Sequence, residues 1–264
     1  MQKIISNRTD IYYEYHKSNR KPTLVFLHGW GANNTIWKKE FDYFKNKGYG
    51  TLNPDLRGHG LSVCSKKPRF YEFSKDLKSI MDNAKISKAI FVGHSMGGLV
   101  GLDFYAKYPN KVSALILIDS SYKISLQTLK FFVPLEFIFM KIINYFAKKR
   151  KNKPKRMDFQ KFKGASDFRI LYEMNSSLDA FPYGEDILKD LLKLDFSPIL
   201  KKIRIPILVI SSMEDEFFRV DVSRAMSKRI PEGHFCEING THSSIIKKPH
   251  EVSSIIGKFI ANSL

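Results

Sequence analysis

The stretch Ala89-Ile90-Phe91-Val92-Gly93-His94-Ser95-Met96-Gly97-Gly98-Leu99-Val100-Gly101-Leu102-Asp103-Phe104-Tyr105 decides the fold. Its first four residues are a short apolar run, as in a strand buried on both faces, and its last seven carry helical spacing. Between them lies G-x-S-x-G. A serine on so sharp a strand-to-helix turn is pushed out of the sheet, and side chains two positions to either side would collide. Gly93 and Gly97 are therefore what the turn demands. The five-residue pattern alone recurs by chance; the flanking strand and helix give it meaning.

Outward from this turn, further apolar runs bounded by turn residues stand at Thr23 to Leu27, Ala114 to Ile118 and Ile207 to Ile210. Helical spacing with stop signals fills Thr35 to Lys47 (closing at Gly48), Tyr71 to Ala84, Met96 to Lys107 (closing before Pro109) and Val252 to Ile260. Strands alternating with helices predict an α/β fold, a mostly parallel sheet with helices on both faces. From Ser121 to about Pro198 the alternation stops, and the chain becomes rich in aromatics and lysines with helical spacing. Because the strand pattern resumes at Ile205, this segment reads as a helical cap, 121–198, inserted into one core formed by 1–120 and 199–264.

With 264 residues, 43% of them hydrophobic, the chain can bury a core of single-domain size. Its net charge of +18 points toward anionic partners or surfaces and says nothing about the fold. The densest basic run is Lys148 to Arg156, continued by Lys161 and Lys163 with only Asp158 opposing. Cys64 and Cys236 have neither metal-ligand spacing nor the number for a disulfide framework, which favours a reducing compartment. The first eight residues reach charge too soon for a signal peptide. The most apolar stretch, Phe131 to Phe146, is interrupted by Pro134, Glu136, Lys141 and Asn144, and it is shorter than the roughly 20 residues that span a bilayer. A cytoplasmic protein is expected.

With these residues in place, the chain resembles the α/β-hydrolase family over nearly its whole length apart from the cap. His28-Gly29-Trp30-Gly31, ending the strand Leu24-Val25-Phe26-Leu27, looks like the family's H-G-x-G oxyanion loop. The resemblance implies that the backbone N–H groups of Trp30 and Met96 hold the developing oxyanion, leaving the Trp30 indole to shape the pocket. Asp55-Leu56-Arg57-Gly58-His59-Gly60-Leu61-Ser62 is similar to the family's D-x-R-G-x-G-x-S loop and reads as structural, with His28, His59 and His94 as scaffold or pocket residues. Ser211-Ser212-Met213-Glu214-Asp215-Glu216 resembles the acid loop, with Asp215 matching the carboxylate. Serine stands there where the family usually has glycine, so Glu214 and Asp221 stay open as alternatives. After a strand at Phe235 to Ile238, the loop Asn239-Gly240-Thr241-His242 matches the position of the catalytic histidine; His234 and His250 fit it less well. The chain order serine, acid, histidine is that of this fold.

The chemistry implied is that His242, oriented by Asp215, deprotonates Ser95, which attacks an acyl carbonyl; water then releases the acid, with no metal and no cofactor. Serine at the turn sets aside the dehalogenases and epoxide hydrolases of this fold, which carry aspartate there. Its carbon–carbon hydrolases usually carry asparagine before the serine, where this chain has His94. The expectation is a hydrolase of carboxylic esters or thioesters with an apolar acyl site, its substrate-binding candidates being Trp30, His94, Phe131 and Phe137. The cap aromatics read equally well as the cap's own core. The basic run Lys148 to Arg156 is a solvated loop, or a dock for an acidic acyl carrier protein. The HGWG loop and basic cap together resemble the pimeloyl-[acyl-carrier protein] methyl ester esterases. Alternatively, the amphipathic segment Leu129 to Arg156 rests on an anionic membrane surface, as in a lipid esterase or lysophospholipase. From a different class, a non-catalytic ligand-binding homologue would keep the same fold. No nucleic-acid reading module accompanies the basic run.

Overall fold

The computed structural model describes residues 1–64, 67–124, 157–167, 169–170 and 184–264. Eight strands form one sheet: β1 (Gln2–Ser6), β2 (Thr9–His16), β3 (Thr23–Leu27), β4 (Gly50–Pro54), β5 (Ala89–His94), β6 (Val112–Ile118), β7 (Ile207–Ser212) and β8 (Gly233–Ile238). Their order across the sheet is β1-β2-β4-β3-β5-β6-β7-β8. The pairs β1/β2 and β2/β4 are antiparallel, and every later pair is parallel. The protein therefore has the expected mostly parallel α/β architecture, with an antiparallel edge that the apolar runs did not reveal. That edge hides because β2 is half-buried: Ile11 and Tyr13 point into the core while Asp10, Tyr12 and Glu14 remain partly exposed.

Alternation along the central strands builds two cores, one on each side of the sheet. Val25, Leu27, Phe91, Leu115, Leu117 and Val209 join one cluster, where helices α2 (Phe70–Asn83) and α3 (Met96–Lys107) contribute Phe73, Leu77, Ile80 and Leu99. Leu24, Phe26, Ile90, Val92, Ile116 and Ile210 join the other. There they meet α1 (Lys38–Asn46) through Phe41 and Phe44, and the C-terminal helix through Ile256 and Ile260. This explains why these strands are continuous apolar runs: each successive side chain has a dry partner on one face or the other.

The remaining helices among the described residues are α4 (Gly184–Leu191), α5 (Ser197–Leu200), α6 (Val220–Lys228), α7 (Ser244–Lys247) and α8 (Pro249–Ser263). The helix expected from Thr35 begins instead as a 3₁₀ turn, Asn34–Trp37, capped by the Asn33 side chain, which accepts from the Thr35 N–H. The 3₁₀ turn Phe159–Phe162 docks on this one: the Phe159 N–H donates to Thr35 Oγ1 at 3.0 Å, and Asn33 Nδ2 donates to the Met157 carbonyl at 2.8 Å. Phe131, Phe137 and the basic run 148–156 lie outside the described residues. Among the described residues, no helix is long and apolar enough to cross a membrane.

Candidate active site

The parallel strands end together on one edge of the sheet, where open α/β sheets bind their ligands. Ser95, between β5 and α3, has φ 55° and ψ −121°, a left-handed conformation that an L-residue adopts only when its surroundings enforce it. The enforcement is visible. The Ser95 N–H donates to the Ile118 carbonyl at 3.0 Å, and its own carbonyl accepts from the Gly98 N–H at 3.0 Å and Ser120 Oγ at 2.7 Å. A Cβ on Gly93 would come 2.4 Å from the Gly97 carbonyl oxygen, and one on Gly97 would come 2.1 Å from that of Leu27. Both glycines are required sterically, as the sequence pattern implied.

The turn after β3 lies against this serine. A Cβ on Gly29 would meet Ser95 Cβ at 3.1 Å and His94 Nδ1 at 3.2 Å. His28 fixes the turn: its Nδ1–H donates to the Gly29 carbonyl at 2.8 Å while its Nε2 accepts from the Leu56 N–H at 2.9 Å. These partners assign a neutral tautomer, and burial holds His28 well below the usual imidazole range. Trp30, next in the turn, packs half-buried against the core, with its indole N–H buried and without a partner among the described residues. Met96 is the first residue of α3, so its N–H has no acceptor within the helix.

On the other side of Ser95 stand the two late loops. Asp215, after β7, accepts from the Phe217 and Phe218 N–H groups on Oδ1 at 2.7 and 3.0 Å, and its Oδ2 meets His242 Nδ1 at 2.9 Å. Burial pushes the Asp215 carboxyl up, but the His242 charge and these three hydrogen bonds outweigh it and hold it below the usual range. Burial likewise pulls His242 down, and the charge and hydrogen bond of Asp215 more than reverse this, so His242 is raised. The His242 ring is flanked by Phe217 at 4.8 Å and His94 at 4.7 Å. The two loops are zipped together by the Glu214 N–H on the Gly240 carbonyl at 2.8 Å. Asp167 ties residues 157–167 to the histidine loop, accepting from Thr241 Oγ1 at 2.7 Å and Lys247 Nζ at 2.8 Å. A small cavity beside His242 is lined by Asp167, Glu214, Glu216, Phe217 and Thr241.

The structure thus brings Asp215 and His242 together, 27 residues apart in sequence, on the serine's edge of the sheet. It does not bring the alternatives there in the same way. Glu214 is exposed, and Asp221 is paired with Arg219 on the surface at 2.9 Å. His234 and His250 are exposed. His94, a candidate for substrate contact, is buried, and its Nε2–H donates to the His242 carbonyl at 2.9 Å. Burial first, then the neighbouring His242, pushes it down to about 3. His59 sits under the site, donating from Nδ1 to the Arg57 carbonyl at 3.0 Å. Arg57 itself is clamped by Asp76 through Nε at 2.8 Å and Nη2 at 2.5 Å.

Sequence reasoning missed Asp119, which directly follows β6. Its carboxyl group is wholly buried; Oδ1 accepts from the Ser212 N–H at 2.6 Å and Oδ2 lies 2.8 Å from Ser212 Oγ. The available signal was a polar pair, Asp119-Ser120, placed directly after a strand that is apolar from Ala114 to Ile118. His94, Asp119 and His242 each place one potential metal-ligand atom within 4.8 Å of the others. Both Asp119 oxygens face Ser212 and His94 Nε2 meets a carbonyl, while His94 Nδ1 is buried with no partner among the described residues.

Residues 22–249 match a protein family described as the alpha/beta hydrolase fold. Protein ABHD8 of Bos taurus is 24% identical over 259 residues, which is 90% of this chain and 55% of that protein. The chain spans about half the length of these curated relatives. A pimeloyl-[acyl-carrier protein] methyl ester esterase of Wigglesworthia glossinidia brevipalpis is 37% identical over 99 residues, 37% of this chain and 36% of that protein. Among solved structures, a thermophilic esterase from Thermogutta terrifontis superposes with a TM-score of 0.76 at 21% identity, covering 99% of this chain and 98% of that one. At that identity the likeness is one of fold.

Proposed function

The chain belongs to the α/β-hydrolase fold family, and from that premise we propose that it is a serine hydrolase of carboxylic esters, working through an acyl-enzyme on Ser95. The observation that carries this reading is the 2.9 Å bond between His242 Nδ1 and Asp215 Oδ2. It leaves the other ring nitrogen of His242 free to serve as a base, on the sheet edge where Ser95 is held in its strained turn. In this reading His242 takes the Ser95 proton as the hydroxyl oxygen bonds to the acyl carbon, and then gives it to the departing alcohol. Water repeats the two steps and releases the acid. The backbone N–H groups of Trp30 and Met96 receive the oxyanion, each donor contributing about 3 kcal/mol or more; Met96 also supplies the positive end of the α3 dipole. Residues 121–198 act as a cap over the site, a role supported by Asp167 on Thr241 and by the docking of Phe159 on Thr35.

Because His242 must be neutral to accept the proton, turnover rises with pH through its raised pKa. The test is hydrolysis of p-nitrophenyl esters from acetyl to palmitoyl, with labelling of the same samples by a fluorophosphonate. Turnover and labelling lost together in Ser95→Ala are expected; equal turnover in parent and variant would overturn the assignment. A second reading, an acidic acyl carrier docked on Lys148 to Arg156, is favoured by the local likeness to the pimeloyl-carrier esterase. It predicts that turnover of a carrier-bound ester, but not of a free p-nitrophenyl ester, falls steeply with salt.

A further inference from the structure

Asp119 has φ 46°, and its N–H donates to the Ile210 carbonyl at 3.0 Å, so the residue is pinned where β6 and β7 end. Its partner Ser212 opens the loop that carries Asp215. Ser212 Oγ also lies 2.8 Å from Ser244 Oγ, which in turn donates to the Thr241 carbonyl at 2.7 Å, next to His242. Counting protons along this chain decides the state of the carboxyl. Ser244 spends its only hydroxyl proton on Thr241, and Ser212 has one proton for two oxygens. If Asp119 is ionised, Ser212 donates to it and the contact between the two serines holds no proton. If Asp119 is protonated, Asp119 donates to Ser212, Ser212 to Ser244 and Ser244 to Thr241, and every contact is satisfied.

We propose that Asp119 is a positioning residue for His242: a second carboxyl behind the Asp215–His242 pair, protonated through the Ser212–Ser244–Thr241 chain and able to release that proton as a further negative charge beside the imidazolium. The proposal rests on the serine-hydrolase reading for its catalytic meaning, though not for its electrostatics. The groups facing Asp119 are Asp215 after β7, His242 after β8 and His94 at the end of β5; Asp167, itself paired with Lys247, faces His242 from residues 157–167. Burial, with the Asp215 charge, pushes Asp119 up to about 7, while the Asp215 charge and hydrogen bond raise His242 above the usual imidazole value.

The test uses the full chain with isotope-labelled histidine, following His242 ring signals against pH by NMR, assigned with His242→Gln. Asp119→Asn suits the left-handed backbone and keeps an acceptor for the Ser212 N–H; Asp119→Gly suits it equally and removes the side chain. Both are expected to move His242 titration down by about one pH unit, the effect of removing a charge within 4.8 Å in a partly screened site. The acid limb of kcat/KM should move with it while KM stays within about twofold, since no substrate contact is removed. Parent and both variants titrating alike would overturn the proposal, even with Ser95 still labelled by a fluorophosphonate. If the serine-hydrolase reading fails instead, labelling and turnover vanish in the parent while the NMR shift is still seen.

Discussion

Gly97 is the position at which fold and proposed chemistry are hardest to separate, and Gly97→Ala exposes the link. The added Cβ would lie 2.1 Å from the Leu27 oxygen, 2.6 Å from the Leu27 carbon and 2.9 Å from the His28 oxygen. All three are backbone atoms, so no side chain can swing aside, and an ordinary contact requires the end of β3 to retreat from α3 by about 1 Å. Overpacking of this kind costs about 1 to 3 kcal/mol. The retreat also carries Gly29 and Trp30 away from Ser95. A misplacement of this size, or loss of one oxyanion donor, costs about 100-fold in kcat or more. Gly101→Ala, one turn along the same helix, is the control. Its Cβ meets only Leu115 Cδ2 at 3.5 Å and Leu27 Cδ1 at 4.0 Å, so it should stabilise by about 0.5 to 1 kcal/mol and leave turnover intact. Urea denaturation and p-nitrophenyl ester hydrolysis of both variants read the two effects. Parental kcat and stability in Gly97→Ala, or equal damage from Gly101→Ala, would refute the steric argument.

Glu40 in α1 is wholly buried, and apart from the pull of its own amide neither carboxyl oxygen has a partner among the described residues, so burial raises its pKa well above the usual range. A raised carboxyl binds its proton more tightly in the folded state, so its cost grows as pH rises above 4.5. Glu40→Leu should therefore stabilise by about 1 kcal/mol or more at pH 8 and by less at pH 5, in urea titrations at the two pH values. His59 shows the opposite slope. Burial lowers it from 6.5 to about 4, so its contribution is complete above pH 6.5 and lost as pH falls toward 4, about 3 kcal/mol in all. The loss of stability between pH 7 and pH 4 should shrink by about that amount in His59→Gln. Arg57, 3% exposed, neutralises the buried Asp76 carboxyl. Arg57→Leu should cost about 3 to 5 kcal/mol, and the double variant Arg57→Leu/Asp76→Leu should recover part of it, as judged by urea midpoints.

The legible part of the fold was the part with an unambiguous solvent. The strands at Thr23, Ala89, Ala114 and Ile207 are dry on both faces, so every residue in them is constrained and the run announces itself. At the antiparallel edge, β1 leaves Gln2, Lys3 and Ile5 exposed, and β4 buries the polar side chains of Thr51 and Asn53; neither makes an apolar run. The same logic holds at the candidate site. Gly93, Gly97, Asp215 and His242 occupy positions fixed by local motif and chain order, and Asp215 and His242 meet in space. Asp119 occupies no such motif. Its surroundings come from β7, β8 and β5 at once, and such a convergence exists only after the chain has folded.

The loop from Asp55 to Ser62 touches no reacting atom in the proposed mechanism, yet it determines where the reacting atoms stand. Asp55 accepts from the Asn34 N–H on Oδ1 at 2.8 Å and from the Leu61 N–H on Oδ2 at 2.9 Å, fastening the loop to the segment that follows the His28–Gly31 turn. The Leu56 N–H holds the buried ring of His28, and that ring holds the Gly29 carbonyl. Gly60, at φ 54°, leaves the Asp55 carboxyl the space that a Cβ would occupy at 2.4 Å. The chain of contacts therefore runs from Gly60 through Asp55 and His28 to Gly29, whose missing side chain lets the turn approach Ser95. Beyond the space left by Gly60, each link is a hydrogen bond to backbone, and a buried hydrogen bond left unmade costs about 1 to 3 kcal/mol, so the turn is held against drift. Precision at the serine is in this way supplied from the opposite side of the turn, by residues whose own chemistry is never used.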